Sequence, residues 1–253
     1  MMEDTEESEP IEVITPASYY LKNGKHYVIY EEVVEGFPGT IKNKIRMTGD
    51  GVLEIMKSGI ADAHMLFEKG KIHGIIGFNG SGKTVMFKCI CGFLKPTGGV
   101  VLVDGKEIGK EIDFPESVGI IIENPGFLPD LSGFENLKRL AALNHRIGDE
   151  EIRECIRKVG LDPFSKKKVK QYSLGMRERL GIAQAIMENP QLIILDEPFN
   201  GLDKRGVEEV CLLLRELRKK GKTIIMAAHN MPDMDGLCDT ICEMDAGVLT
   251  RIK

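Results

Sequence analysis

No stretch of the 253 residues is apolar over the roughly 18 positions that a membrane helix needs. Positive charge is not in excess either: 34 Lys and Arg stand against 39 Asp and Glu, a net charge of −5. That argues against affinity for nucleic acid built on phosphate neutralisation, and no nucleic-acid partner is expected. Met1 to Pro10 is acidic and lacks the basic and apolar regions of a secretory leader, which predicts a chain that stays in the cytoplasm. The six cysteines (Cys89, Cys91, Cys155, Cys211, Cys238 and Cys242) are too few for a disulfide scaffold at this length. They share no zinc-type spacing with the five histidines, so buried reduced thiols are expected. Internal repeats and sustained heptads are also missing, so the expectation is one copy of a globular unit.

What is present reads as alternating strands and helices. Residues 1–16 are expected to form a disordered acidic tail, and the remainder, 17–253, one domain. Tyr19 to Tyr30 places an Asn23-Gly24 turn between β-branched and aromatic residues, a hairpin signal. Gly36 to Gly51, punctuated by Gly, Pro and Asn, reads as loop and short strand. Lys71 to Ile76 reads as a strand, Val85 to Leu94 as a helix, and Val100 to Ile108 as a hairpin about Asp104-Gly105. A buried strand is expected over Val118 to Ile122. Helical periodicity follows over Ser132 to Lys170, with Lys166-Lys167-Lys168 on a solvated surface, and again over Arg177 to Met187. Leu192 to Leu195 and Thr223 to Ala228 read as strands flanking a helix from Val207 to Lys220. That alternation predicts an α/β core with a parallel sheet and crossover helices.

Gly77-Phe78-Asn79-Gly80-Ser81-Gly82-Lys83-Thr84 fits the phosphate-loop pattern G-x-x-x-x-G-K-[ST] between a strand and a helix. The glycines let successive N–H groups turn inward onto a polyphosphate at a helix N-terminus. Lys83 supplies a point charge at the β- and γ-phosphates, and the Thr84 hydroxyl suits Mg²⁺. Leu192-Ile193-Ile194-Leu195-Asp196-Glu197 is an apolar strand ending in two acids. It puts Asp196 at the carboxyl edge of the sheet as a second Mg²⁺ ligand and Glu197 beside it as a general base for water.

Three further segments complete a pattern. Tyr172-Ser173-Leu174-Gly175-Met176-Arg177 resembles the signature motif of the ABC-family ATPases, usually Leu-Ser-Gly-Gly-Gln. Asn200-Gly201-Leu202-Asp203 resembles that family's D-loop, and His229, just after a strand, its switch histidine. The five elements occur in family order, over roughly Gly51 to the C-terminus. The resemblance implies a phosphate-loop ATPase core, an N-terminal antiparallel β-subdomain and a helical insert near residues 130–172. It also implies ATP and Mg²⁺ as cofactors, and a head-to-tail dimer, homomeric or heteromeric. Ser173 and Gly175 would then reach the γ-phosphate held by the other subunit, and Asp203 would contact that subunit. His229 would meet the γ-phosphate or the attacking water. A separate transmembrane permease is implied too, contacted through Phe127 to Leu137 and the helical insert, with the chain peripheral on the inner face of the membrane.

Three positions depart from the family pattern. Leu174 replaces the first signature glycine. Glu123 stands where the family places a glutamine that links Mg²⁺ to the membrane subunit, and the expectation is that it still senses the metal. Glu123, its surroundings from Ile122 to Pro129, Gly133 to Leu137, and Tyr-Ser-Leu-Gly-Met all resemble the ATPases of bacitracin and lantibiotic self-immunity exporters. No aromatic residue lies about two dozen positions before the phosphate loop to stack on adenine; either apolar contact replaces stacking or a tyrosine of the N-terminal segment serves, Tyr27 and Tyr30 being the candidates although both also suit packing in a sheet. A soluble ABC ATPase acting on ribosomes or DNA is the competing class. Intact Lys83, Asp196, Glu197 and His229 speak against a catalytically idle partner.

Overall fold

The computed structural model describes residues 17–22, 25–33, 40–47, 51–52, 62–63, 65–96, 99–123, 125–229 and 234–253, with side chains from residue 65 onward. The expected acidic tail lies outside the described residues. Strands β1 (Ala17–Lys22), β2 (Lys25–Val33) and β3 (Thr40–Met47) form an antiparallel sheet. Lys22 pairs with Lys25, the register that a two-residue Asn23-Gly24 connection requires. The segment read as loop and short strand contains a strand of eight residues, β3, paired along its whole length with β2.

Short strands β4 (Gly51–Val52), β5 (Asp62–Ala63) and β6 (Phe67–Glu68) precede β7 (Ile72–Ile76). The helix α1 (Lys83–Ile90) follows, then the expected hairpin of β8 (Leu102–Val103) and β9 (Lys106–Glu107) and the strand β10 (Val118–Ile121). The long helical run divides into α2 (Gly133–Asn144) and α3 (Asp149–Lys158), with a single 3-10 turn at Val169–Gln171. His145 ends α2 in the left-handed region at φ 53°. A capping box starts α2: the Ser132 hydroxyl accepts from the Glu135 N–H, and the Glu135 carboxylate accepts from the Ser132 N–H at 2.8 Å. The helix α4 (Leu174–Ile186), β11 (Leu192–Asp196), α5 (Lys204–Lys219) and β12 (Thr223–Ala228) come next. Two strands not anticipated from the sequence, β13 (Thr240–Asp245) and β14 (Val248–Arg251), close the order.

The central sheet runs β10-β11-β12-β7-β13-β14-β5, parallel except between β13 and β14. Every residue of β11 and β12 is buried, as a parallel sheet covered on both faces demands. The strand period of two divides these residues between two cores. Ile193, Leu195, Ile224 and Met226 join the core on the α2–α5 side, while Leu192, Ile194 and Ile225 join the one built on α1 and the β8–β9 hairpin. Gly119 is required here: a Cβ on it would lie 1.7 Å from the Ala185 carbonyl of α4. Arg179 ties α4 down, donating to the Val159 carbonyl and to Glu209 of α5, both at 2.7 Å. His73 is fully buried between the Thr240 hydroxyl and the Glu68 carbonyl, a structural histidine. None of the six cysteines is in a disulfide, and all are buried except the partly exposed Cys211, as expected. No helix among the described residues is long and apolar enough to cross a membrane.

Candidate functional site: a phosphate cradle at the sheet edge

Parallel register brings three strand ends to one edge. Asp196 pairs with Ala227, and Ala228 with Ile76, so Gly77, Glu197 and His229 each leave the sheet together. The loop from Gly77 to Gly82 then turns back into α1. Gly82 at φ 112° and Gly80 at φ 81° hold conformations that side chains avoid, and a Cβ on Gly80 would meet only open space. A cavity of about 340 Å³ opens there, lined by Asn79, Gly80, Gly82, Lys83, Thr84, Val85, Asp196 and Glu197.

Inside it, the buried Lys83 ammonium donates to the carbonyls of Gly77 at 2.6 Å and Phe78 at 3.1 Å. It also stands 3.9 Å from Glu197 Oε1. The Thr84 hydroxyl donates to Asp196 Oδ2 at 2.7 Å. A hydroxyl and a carboxylate in contact at the foot of a phosphate loop are hard oxygen donors, and this donor set fits Mg²⁺. Glu197 sits in the left-handed region at φ 55°, its N–H given to the Ala227 carbonyl and its own carbonyl accepting from the Asn200 N–H, both at 3.0 Å. That backbone costs on the order of 1–3 kcal/mol and turns the side chain back over the cavity. His229 Nε2 lies 3.3 Å from Glu197 Oε1, an oxygen that is buried without a hydrogen-bond partner among the described residues. Burial pushes the Glu197 carboxyl above the usual carboxylate range, and the neighbouring positions of His229 and Lys83 pull it partly back. A carboxylate raised in this way accepts a proton more readily near neutral pH.

Eleven of the expected residues thus share one edge: Gly77 to Thr84, Asp196, Glu197 and His229. Phe78 is 83% exposed and makes no part of the cavity wall. Ser173, Gly175 and Asp203 gather elsewhere, around the starts of α4 and α5. Ser173 caps α4 by accepting from the Met176 N–H at 3.2 Å, and Asp203 caps α5 by accepting from the Gly206 N–H at 2.8 Å. Glu123 stands apart from the cavity wall: it is exposed, at φ 61°, and pairs with Lys88 of α1 at 2.6 Å. Tyr27 and Tyr30 fall on β2, and their side chains lie outside those described.

Two supports went unread in the sequence. A Cβ on Gly77 would sit 2.3 Å from the Met244 carbonyl, and the Gly247 N–H donates to the Ser81 carbonyl at 2.9 Å. The β13–β14 turn therefore backs the phosphate loop. Ala246-Gly247, both with positive φ between Asp245 and its partner Val248, was the available signal.

A phosphate loop with a hydroxyl–carboxylate contact and a second acid beside it at the edge of a parallel sheet is the arrangement of a nucleoside triphosphatase. The chain belongs to the ABC transporter family: the family model described as "ABC transporter" matches residues 60–200. A second model, a domain of unknown function (DUF1934), matches residues 1–76, a span that takes in β1 to β3 and overlaps the first by the strands leading to the loop. The uncharacterized ABC transporter ATP-binding protein YybJ of Bacillus subtilis is 45% identical over 183 residues, which cover 72% of this chain and 84% of that one. The bacitracin transport ATP-binding protein BcrA of Enterococcus faecalis is 42% identical over 72% of this chain and 60% of its own length. The lantibiotic transport ATP-binding protein SrtF of Streptococcus pyogenes is 36% identical over 71% and 77% respectively. The matched segment thus spans only about three fifths of some of these relatives, BcrA among them. Among solved structures, cbiO1 from Clostridium perfringens, part of the ABC transporter complex cbiONQ, superposes with a TM-score of 0.67 at 28% identity, covering 79% of this chain and 87% of that one. The dimeric ATP-binding cassette MJ0796 bound to ADP and Pi shares the fold at a TM-score of 0.69 and 23% identity, covering 80% and 97%. The protein is therefore an ATP-binding ABC ATPase subunit whose family uses ATP with Mg²⁺.

Proposed function

We propose that this chain hydrolyses ATP to drive export of antibiotic-peptide-like compounds through a separate transmembrane permease, on the inner face of the membrane. The observation that carries the chemistry is the Thr84–Asp196 contact beside Lys83 and Glu197. In this reading the loop N–H groups and Lys83 hold the β- and γ-phosphates, Lys83 leaving the carbonyls of Gly77 and Phe78 to do so. Thr84 and Asp196 would hold Mg²⁺, which when bound would offset the phosphate charge. Glu197 takes a proton from water as the water oxygen attacks the terminal phosphorus. The bond from that phosphorus to the bridging oxygen breaks, giving ADP and phosphate. His229, 3.3 Å from Glu197, keeps the carboxylate aimed and reaches the terminal phosphate. Glu123 is held by Lys88 and would have to leave it to approach the metal.

Ser173 and Gly175 lie away from the cavity wall, which supports their use on the nucleotide of a second ATPase subunit, with Asp203 at the same interface. Phe127 to Leu137 with α2 and α3 is the surface offered to the permease. The export direction and the peptide class rest on the names of BcrA and SrtF. Those names leave the ribosome- or DNA-acting alternative without support. Purification from detergent-solubilised native membranes tests the assignment. A polytopic membrane protein at stoichiometric yield, with ATPase lost in Glu197→Gln, upholds it; recovery with ribosomal or DNA-repair proteins overturns it.

A further inference from the structure

The replacement of a signature glycine by Leu174 has a counterpart 27 positions on, at Gly201. A Cβ built on Gly201 would lie 2.5 Å from both Cγ and Cδ2 of Leu174 and 3.0 Å from its Cβ. The space that any side chain at 201 would take is already filled by the leucine. On the other side of the same contact, a Cβ on Gly175 would lie 2.7 Å from the Gly201 carbonyl oxygen and 3.3 Å from Leu202 Cδ2. Residues 174–175 and 201–202 therefore meet at backbone distance within one chain.

What each segment is attached to gives the contact its meaning. Leu174 opens α4, which Ser173 caps and Arg179 fastens to α5 and to the Val159 carbonyl. It is a rigid mount, yet Leu174 itself is 48% exposed and adds little to the core. Gly201, at φ 69°, belongs to the loop that begins at Glu197, whose carbonyl accepts from the Asn200 N–H, and that ends at Asp203, the cap of α5. Phe199 buries the middle of that loop. The stretch between Asn200 and the cap is steadied from outside by Leu174.

We propose that Leu174 is a positioning residue: a wedge over Gly201 that fixes the loop carrying Glu197, so that leucine at 174 and glycine at 201 are two halves of one device. The kinetic part of this rests on the reading of Glu197 as the base; the mechanical part does not. Amide exchange and steady-state ATPase are measured on the full chain with Leu174→Ala, Gly201→Ala and the pair combined. Leu174→Ala is expected to speed exchange across residues 199–203 while leaving residues 77–84 unchanged. It should also lower kcat about tenfold with KM for ATP held, the scale of a misplaced general base. Gly201→Ala should lower kcat at least as much, and adding Leu174→Ala to it should restore part of the loss. Unchanged exchange at 199–203 in Leu174→Ala, or additive losses in the pair, overturns the proposal. Where Gly201→Ala does not fold, the exchange of Leu174→Ala decides alone. Turnover persisting in Glu197→Gln would remove the base assignment and leave the exchange result standing.

Discussion

Glu178 lies on α4 and is only 5% exposed, with no ion pair or hydrogen bond to it among the described residues. Burial alone pushes its carboxyl from 4.5 up to about 7. An acid raised in this way folds without penalty while protonated. Its contribution to stability is therefore complete below pH 4.5 and is lost as pH rises through about 7. At 1.36 kcal/mol per unit, the loss reaches about 3 kcal/mol. Glutamine has nearly the shape of the protonated acid and never ionises. Urea unfolding of wild type and Glu178→Gln, without nucleotide, at pH 5 and pH 8.5 measures the difference. At pH 8.5 the variant should be more stable by up to about 3 kcal/mol, a melting shift of roughly 6–12 °C for a chain of this size. At pH 5 the gap should fall below about 1 kcal/mol. Glu197 shifts in the same direction, but it is common to both proteins and cancels. A gap that is equal at the two pH values would refute the reasoning, because an uncharged packing difference has no reason to follow pH.

Other substitutions separate the parts of the cavity. Lys83→Ala should weaken ATP binding by about a hundredfold in a direct titration, since the charge at the phosphates goes with it. Glu197→Gln should cut kcat by about 10²–10⁴-fold while ATP affinity stays within a few-fold, as expected of a general base; turnover near wild type would assign the proton to another group. Asp196→Asn should raise the Mg²⁺ needed for half-maximal turnover about tenfold or more, through loss of a charged hard ligand beside Thr84. Glu123→Gln should shift the same requirement by about threefold, and an unchanged value confines Glu123 to its pair with Lys88.

How far the sequence could be read differs from element to element, and the differences have causes. Residues 192–195 and 224–228 are continuous apolar runs, and they emerged in central parallel strands because a strand of that length in a sheet covered on both faces buries every residue. The Asn-Gly signal in the sequence was local enough to foretell the antiparallel pairing of β1 with β2, in which Lys22 faces Lys25. In residues 36–51, read as loop and short strand, the full length of Thr40–Met47 was missed because its Lys, Asn and Arg hide a strand whose pairing is supplied by β2. The run from Ser132 to Lys170 looked unbroken because His145 is not a usual helix stop, yet it holds a left-handed cap there. Within the site, the loop and the two acids were legible from spacing. The support of Gly77 by Met244, the pairing of Glu123 with Lys88 and the wedge of Leu174 on Gly201 join residues 27 to 167 positions apart. Motif spacing carries no record of such meetings. Ser173 and Asp203 show the opposite ambiguity: both are helix caps in the fold, a role that the same residue types fill with or without a second subunit.

The turn that backs the phosphate loop also orders events in time. Gly77 to Thr84 leaves the ribosome early, but β7 gains its neighbours β12 and β13, and Ser81 its bond from Gly247, only after the residues up to 247 have followed. At about 5–20 residues per second, the roughly 160 residues in between take about 8–30 s to synthesise. Through that interval the chain carries an anion-seeking loop without its cradle. The loop therefore reaches the supported geometry described above only once the residues up to 247 are in place.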